Sequence, residues 1–271
     1  MTTNFAIKRF DASTMASNST VFMIGKRGTG KSTLIADIMY HNRDKFKYGI
    51  AMSETEAVTG DLSRFIPRSC LYHEFNETAL EGVMMHQKRD GAKVKRAKNR
   101  GEEMSLKNMF VIMDDCAHDK KTLSNSTMRE AFMNGRHRAL FIVNAVQYMM
   151  DIPSAIRGQI DYVFATRDNI RDQREKLYKY FFGIFDDFET FSRVLDECTD
   201  GFNCIVLDGK SRSNKVEDVV FYYQADPDIP EFRLCDDIFW TLDVKYARDE
   251  DDEAEAPARD GKPKISVRRL E

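Results

Sequence analysis

The chain has 271 residues, of which 42% are hydrophobic and 31% charged, a balance typical of folded proteins with a sizeable core. No run approaches about eighteen apolar residues, and the N-terminus MTTNFAIKRF lacks the apolar centre of a signal peptide. The sequence therefore predicts a cytosolic or nuclear protein with no membrane span. The net charge of −3 and the pI near 6.0 do not indicate nucleic-acid binding, but charge segregated on one face leaves that function open.

The cysteines and histidines predict no metal site. None of the five cysteines forms a C-x-x-C pair, and Cys116 and His118 have no second pair at the spacing of a zinc site. We expect free thiols.

The last part of the chain differs in composition from the rest. Acidic residues crowd between Asp249 and Glu255, and apolar residues are few from 248 onward. Such a segment cannot bury enough apolar surface to fold, so we expect residues 248–271 to be a disordered tail. No linker-like stretch interrupts residues 1–247, which predicts a single domain.

Apolar, β-rich runs alternate with helical patterns along the chain. This alternation predicts an α/β fold, with a wound, mostly parallel sheet and helices on both faces. The predicted strands are 20–24, 48–53, 70–73, 108–113, 139–146, 161–166, 202–207 and 218–224. The predicted helical segments are 31–42, 77–100, 124–134 and 171–197.

A glycine-rich segment, GKRGTGKS, joins the first predicted strand to the first predicted helix. It matches the phosphate-loop pattern G-x-x-x-x-G-K-[ST], in which backbone N–H groups and a helix N-terminus converge on phosphate. We expect Lys31 to contact the β- and γ-phosphates and the Ser32 hydroxyl to ligate Mg²⁺. The predicted nucleotide-binding residues are Gly25, Lys26, Arg27, Gly28, Thr29, Gly30, Lys31, Ser32 and Thr33.

Two acids follow the strand NMFVIM. A strand that ends in Asp114 can place its carboxylate beside a metal at the phosphate loop, in the manner of a Walker B acid. Asp115 can polarise an attacking water. The alternative interpretation is a pair of acids that cap a helix.

Three further residues are candidates for the hydrolytic site. Gln147 ends the strand ALFIVNAV. If this strand neighbours the phosphate-loop strand, the Gln147 amide would lie between the γ-phosphate and the Asp115 carboxylate and could sense whether the γ-phosphate is present. Arg136 and Arg157 flank the same strand, and either can serve as an arginine that reaches a neighbouring subunit's site. Taken alone, each of the three is more often a surface or capping residue.

A basic stretch, HQKRDGAKVKRAKNR, lies in the second predicted helix. Arg89, Lys93, Arg96 and Arg100 share one helical face and could follow a DNA backbone without reading its sequence. A solvated helix face is the alternative, and Gly91 weakens the helix. Farther on, Asn214 to Glu217 (NKVE) only approximates the N-K-x-D guanine reader, so GTP specificity is not predicted.

Taken together, these motifs resemble the genome-packaging ATPases of nucleocytoplasmic large DNA viruses, the poxvirus-type branch of the FtsK–HerA superfamily. The likeness extends from Phe10 to Ala225. It is carried by VFMIGKRGTGKSTL, YGIAMSETE, FIPRSCLY, MFVIMDDC, GRHRALFIVNAVQYMMDIPSAIRGQIDYVF and the later stretch through IVLD.

The resemblance implies a RecA-like sheet of the ASCE type with an additional strand, a ring of identical subunits, and ATP hydrolysis coupled to packaging of double-stranded DNA. ATP and Mg²⁺ are the implied cofactors, capsid or portal-like components the implied partners, and the viral factory of an infected cell the implied location. By the same likeness Asp114 supports the metal, Asp115 is the catalytic carboxylate and Gln147 the sensor. Arg136 is the first choice for the trans-acting finger and Arg157 the second. One departure is that many relatives carry Asp-Glu where this chain has Asp-Asp.

Two other functions stay open at this stage. A nucleoside or nucleotide kinase also uses an N-terminal phosphate loop, and RDNIRDQREK could act as its arginine-rich lid. A scaffold that binds ATP without turnover is the third hypothesis.

Overall fold

A computed structural model of the protein describes residues 5–116, 122, 125–148 and 152–246. His118 and the predicted tail, residues 248–271, lie outside the described residues. The single-domain boundaries stay a prediction.

The apolar runs of the sequence form the strands of one sheet. The central strands are buried along their whole length, because helices cover both faces of the sheet and leave no polar side. The strands are β1 Lys8–Arg9, β2 Thr20–Ile24, β3 Tyr48–Ser53, β4 Leu71–Tyr72, β5 Met109–Asp114, β6 Leu140–Val146, β7 Tyr162–Thr166, β8 Asn203–Asp208 and β9 Val220–Gln224.

Within the described ranges the sheet has nine strands in the order β1-β9-β8-β7-β2-β6-β5-β3-β4. Strand β6 lies between β2, which leads into the phosphate loop, and β5, which ends in the two acids. This is the additional-strand arrangement that the resemblance implies, and the mostly parallel α/β prediction is confirmed.

Eight helices connect and cover these strands in the part of the chain that the structure describes. They are α1 Lys31–Asn42, α2 Glu56–Thr59, α3 Glu77–Asn99, α4 Ser126–Asn134, α5 Ser154–Arg157, α6 Arg171–Tyr180, α7 Phe188–Cys198 and α8 Asp237–Tyr246. Helix α1 packs on one face of the sheet, whereas α3, α4, α6 and α7 pack on the other. None of the described helices has the length and hydropathy needed to cross a bilayer.

Strand β8 is antiparallel to both of its neighbours. Two helices, α6 and α7, connect β7 to β8. The second of them, α7, returns the chain to the edge of the sheet where β7 ends, so β8 starts from that edge. The turn at 199–202 and the end of β9 at Gln224 therefore lie at the same edge as the phosphate loop. This reversal brings residues far apart in sequence to the loop.

The structure departs from the sequence-based expectations in several places. The segment 171–197 forms two helices separated by residues 181–187, where the apolar spacing continues without a continuous helix. Helix α3 runs through Gly91, because its first half is packed on the sheet. The short strand β1 and helix α8 were not predicted, since neither carries a clear period of its own.

Candidate nucleotide-binding site

The phosphate loop follows β2 at the carboxyl edge of the sheet. Gly25 N–H donates to Val146 O at 3.1 Å, which ties the start of the loop to the end of β6. A side chain at position 25 cannot fit, since an added Cβ would lie 2.2 Å from Thr166 Oγ1. Gly30 caps α1 at φ +87°, in the left-handed region that glycine adopts without steric cost.

The other side chains of the loop hold its shape. Thr29 Oγ1 donates to Lys26 O at 2.7 Å and lies 3.0 Å from Thr166 Oγ1 on the neighbouring strand β7. Lys26 pairs with Asp168 at 2.9 Å and donates to Asn169 at 2.6 Å, so the loop is fastened to the segment after β7. The loop is therefore preorganised by contacts from two neighbouring strands.

Lys31 lies at the centre of the loop. Its ammonium donates to Gly25 O at 2.6 Å and to Lys26 O at 3.2 Å, both of them neutral carbonyls. Burial lowers the pKa of Lys31, while the charges of Asp114 and Asp115 act in the opposite direction. A half-buried cation whose hydrogen bonds within the described residues go to carbonyls suits an anionic ligand such as a triphosphate.

Asp114 ends strand β5 and is 6% exposed. Burial raises the pKa of its carboxyl group to about 6, Lys31 opposes that rise, and Asp115 adds to it. A cation beside this carboxylate would offset its unfavourable burial, which is the electrostatic setting of a metal ligand.

Asp115 adopts φ +82°, an uncommon conformation for a residue with a side chain. Its N–H donates to Ala145 O at 3.0 Å, so the backbone turns sharply at the end of β5 while still paired with β6. The Gln147 amide then donates a hydrogen bond to the Asp115 carboxylate. The expected meeting of Gln147 and Asp115 across neighbouring strands is present.

One cavity of about 640 Å³ brings these residues together. The sequence predicted part of its lining, which is the phosphate loop, Asp114, Asp115 and Gln147. It did not predict Thr55 and Thr59, nor the lining residues from the turn after α7 and from the end of β9 onward, because no phosphate-binding motif marks them. These last residues are Gly201, Phe202, Gln224, Ala225 and Pro227.

The donor set at this cavity fits Mg²⁺ held together with a nucleotide. Among the described residues no group of three or more His, Cys, Asp or Glu side chains could hold a metal ion. Mg²⁺ commonly takes only one or two protein oxygens and completes its shell with phosphate and water. Ser32 and Asp114, which both line the cavity, are sufficient for that role.

The two candidate arginines lie away from this cavity. Arg136 follows α4, before β6, and pairs with Asp161, whose other oxygen accepts from Thr20 N–H at 2.9 Å. These residues are at the amino ends of β2, β6 and β7, opposite the loop. Arg157 Nη1 donates to Ile152 O at 2.8 Å, and its guanidinium lies 4.3 Å from the centre of the Tyr180 ring. Neither arginine completes the site of its own chain.

The basic residues of α3 lie beyond the amino edge of the sheet. Gln87, two residues before Arg89, donates to Lys107 O just before β5. Lys93 pairs with Asp90 at 2.7 Å, and Arg100 with Glu102 at 2.6 Å. All four predicted residues of the stripe are exposed.

The chain matches the family described as the poxvirus A32 protein over residues 7–180. It is 32% identical to protein L437 of Acanthamoeba polyphaga mimivirus over 222 residues, 82% of this chain and 78% of that protein. It is 33% identical to protein 088R of Invertebrate iridescent virus 3 over 209 residues, 76% of each chain.

Two solved structures share the fold at low identity. The genome-packaging NTPase B204 of Sulfolobus turreted icosahedral virus 2, in complex with AMPPCP, superposes with a TM-score of 0.51 at 12% identity, over 78% of this chain and all of that one. ATPases 2 and 3 of EssC from Geobacillus thermodenitrificans give a TM-score of 0.56 at 13% identity, over 84% of this chain and 42% of that one.

The sheet order, the phosphate loop and the acids after β5 define the class as a P-loop ATPase. Within that class, the chain belongs to the poxvirus A32 protein family. The resemblance stated from the sequence is thereby confirmed. The roles of the individual site residues stay predictions.

Proposed function

We propose that this protein is an ATP-driven motor that moves double-stranded viral DNA into a capsid. The observation that carries the proposal is the convergence of Lys31, Asp114, Asp115 and Gln147 on one cavity. The loop lysine and the strand-end acid serve any P-loop enzyme. The second acid, hydrogen-bonded to an amide on the neighbouring strand, suits an enzyme that must time the attack of water.

Each side chain has a separate task in this proposal. Lys31 leaves its carbonyl partners for the β- and γ-phosphate oxygens, and the remainder of Gly25 to Thr33 supplies backbone donors. Asp115 accepts a proton from the attacking water, and Gln147 exchanges its bond with that carboxylate for one with the γ-phosphate. Ser32 and Asp114 would hold Mg²⁺, which when bound would supply positive charge beside the phosphates.

Hydrolysis is favoured over transfer to a small molecule by the position of the candidate lid. None of the three arginines of RDNIRDQREK lines the cavity. Arg167, which precedes α6, pairs with Asp200 at 3.3 Å, and the other two make their contacts from within α6. Arg174 donates to Asp196 on α7 at 2.6 and 3.0 Å and to Ser192 Oγ at 2.8 Å, whereas Arg171 pairs with Glu175 at 2.7 Å. These contacts favour a structural role for the segment.

The proposal that DNA and the capsid are partners rests on the family and on the basic face of α3. The fold is shared with a viral protein described as a genome-packaging NTPase. Arg89, Lys93, Arg96 and Arg100 could contact phosphates independently of sequence. We further propose a ring in which Arg136, or else Arg157, acts on the neighbour's nucleotide, with assembly in the viral factory of an infected cell. Both arginines lie away from the nucleotide cavity of their own chain, as a trans-acting residue must.

The test is ATP hydrolysis by the purified chain with and without duplex DNA, over a range of salt concentrations. We expect stimulation by DNA that weakens with salt, and loss of turnover in Lys31→Ala. The exposed Lys210→Ala is the matched control and should retain activity. Hydrolysis that is indifferent to DNA in every oligomeric state contradicts the motor, and a phosphorylated product from a panel of nucleosides supports the kinase instead.

A further inference from the structure

The nucleotide cavity is lined, beside the phosphate loop, by an exposed aromatic side chain that the phosphate-binding roles leave unused. Phe202 is 77% exposed, although large apolar side chains usually lie buried. It lines the same cavity as Lys31 and Asp114. Its ring is adjacent to the loop, since a Cβ placed on Gly30 would lie 3.9 Å from Phe202 Cδ1.

The backbone at Phe202 is held in an unfavourable conformation. Phe202 has φ +63° and the preceding Gly201 has φ +61°, so two successive residues are left-handed. An aromatic residue seldom adopts this region, because its Cβ crowds the backbone. Strain of this kind persists where the surrounding contacts impose it, often at a binding site.

Contacts from three sides impose it here. Thr199 Oγ1 donates to Leu195 O at 2.6 Å, which ends α7, and Asn203 donates through its side-chain amide to Asp200 O. From the neighbouring strand, Gln224 Nε2 donates to Gly201 O at 3.3 Å. These hydrogen bonds fix the turn at 199–202, and the Phe202 ring at its end lines the cavity.

The chemistry of the surrounding lining indicates what would lie on that ring. Around Phe202 the cavity is bounded by Gly201, Ala225 and Pro227, with Gln224 as the polar side chain. The phosphate loop, with Lys31, lines another part of the same cavity. A ligand that joins a charged phosphate chain to a flat aromatic group matches both parts of this lining, and a purine base stacks well on a phenyl ring.

We propose that Phe202 is the stacking platform for the purine base of the nucleoside triphosphate. This inference rests on the proposed nucleotide site but not on turnover or on DNA. Because the antiparallel course of β8 carries the turn to the loop, a base-binding residue arises about 170 positions after Lys31. In this proposal Phe202 adds affinity for ligands that carry a base and leaves phosphate binding by the loop unchanged.

Equilibrium binding of ATP and of inorganic tripolyphosphate, with Mg²⁺, separates these two contributions. We expect Phe202→Ala to weaken ATP binding about tenfold or more, to leave tripolyphosphate binding within about twofold, and Phe202→Tyr to restore ATP binding. If hydrolysis is present, KM for ATP should rise with kcat little changed. Met85→Ala, which removes another half-exposed apolar side chain from α3, is the control and should alter neither ligand.

The alternatives give distinct results. Equal ATP affinity in Phe202→Ala and the parent overturns the proposal. Equal loss of ATP and tripolyphosphate also overturns it, since the residue would then shape the loop. Phe202→Gly removes the left-handed strain, so it should fold at least as stably as the parent and still lose affinity for ATP alone. A parent chain that binds ATP without hydrolysing it would refute the motor but not the base platform.

Discussion

The amide of Gln147 donates a hydrogen bond to the carboxylate of Asp115 across the carboxyl ends of β6 and β5. The two residues are 32 positions apart in sequence and meet because their strands are neighbours. Asp115 also carries the left-handed φ of +82°, so its carboxylate is directed by both backbone and partner. This pair is the feature that connects the proposed phosphate sensor to the proposed general base.

Removal of the amide should impair hydrolysis more than binding. In Gln147→Ala, we expect kcat to fall about 10- to 100-fold while the Kd for ATP stays within about threefold, since Lys31 and the loop remain intact. Single-turnover hydrolysis and equilibrium nucleotide binding measure the two effects. Gln159→Ala, outside the cavity lining, is the matched control. A kcat within twofold of the parent contradicts the sensor role.

The second acid distinguishes a motor from an ATP-binding scaffold. Asp115→Asn keeps the shape and tolerates the left-handed backbone, so it should bind ATP and lose hydrolysis by about 10²-fold or more. Asp115→Gly should lose hydrolysis as well and gain about 1 kcal/mol of stability, because glycine has no strain at this φ. Thermal unfolding and ATPase assays provide the readouts. If Asp115→Asn behaves like the parent in both ATP retention and turnover, the scaffold hypothesis is preferred.

Asp114 should lower stability at neutral pH. Burial raises the pKa of its carboxyl from an ordinary 3.8 to about 6, so the folded protein retains a proton that the unfolded chain has lost. Stability therefore decreases as the pH rises from about 4 to about 6, and the full penalty is present above that range.

The corresponding substitution is Asp114→Asn. With about 1.4 kcal/mol per pKa unit, it should raise the free energy of unfolding of the nucleotide-free protein on the order of 2–3 kcal/mol at pH 8. The gain should vanish near pH 4. Urea unfolding at several pH values measures it, with the exposed Asp186→Asn as the control. A gain that is the same at every pH is inconsistent with this origin.

Arg136 should have a structural effect in addition to its proposed role in trans. Its partner Asp161 is 5% exposed in its side chain, so Arg136→Ala leaves a buried carboxylate with the Thr20 N–H as its remaining described donor. We expect a loss of about 1 kcal/mol of stability, together with a loss of turnover.

Mixing two inactive variants separates the structural effect of Arg136 from its role in trans. Arg136→Ala subunits keep their own nucleotide site, and Lys31→Ala subunits keep the arginine. Mixed assemblies should therefore regain part of the activity. If an equal mixture of the two variants regains no activity at a temperature where both are folded, the result counts against Arg136 as the trans-acting residue. The same mixture with Arg157→Ala then tests the second candidate.

The basic face of α3 should affect DNA stimulation without affecting the site. Arg89 and Arg96 make no ion pair within the described residues, whereas Lys93 and Arg100 are paired with Asp90 and Glu102. The double variant Arg89→Glu and Arg96→Glu should therefore weaken DNA binding and reduce its salt dependence, with DNA-free turnover unchanged. The matched control, Lys93→Glu with Arg100→Glu, should have the smaller effect. Equal DNA binding in all three proteins would remove α3 from the interface.

Much of the fold and half of the site could be predicted before the structure. Strand β2, helix α1 and strand β3 have the predicted bounds, because long apolar runs and a phosphate-loop motif are strong local signals. Most of the other helices and strands that the sequence predicted differ from their predicted bounds at the ends, whereas β1, α2, α5 and α8 were not predicted. The break at 181–187 could not be predicted, since both flanking helices contribute residues to one aromatic cluster and share a continuous apolar pattern.

The amino-acid sequence by itself determined the phosphate loop, the two acids and the family, because these depend on residue types at short spacing. Only the tertiary structure decided that β6 lies between the loop strand and the acid strand, which joins Gln147 to Asp115. It also decided the antiparallel course of β8, which carries the turn at 199–202 to the loop. Strand order and direction arise from packing among distant segments, and no local pattern records them. They supply the second half of the candidate site.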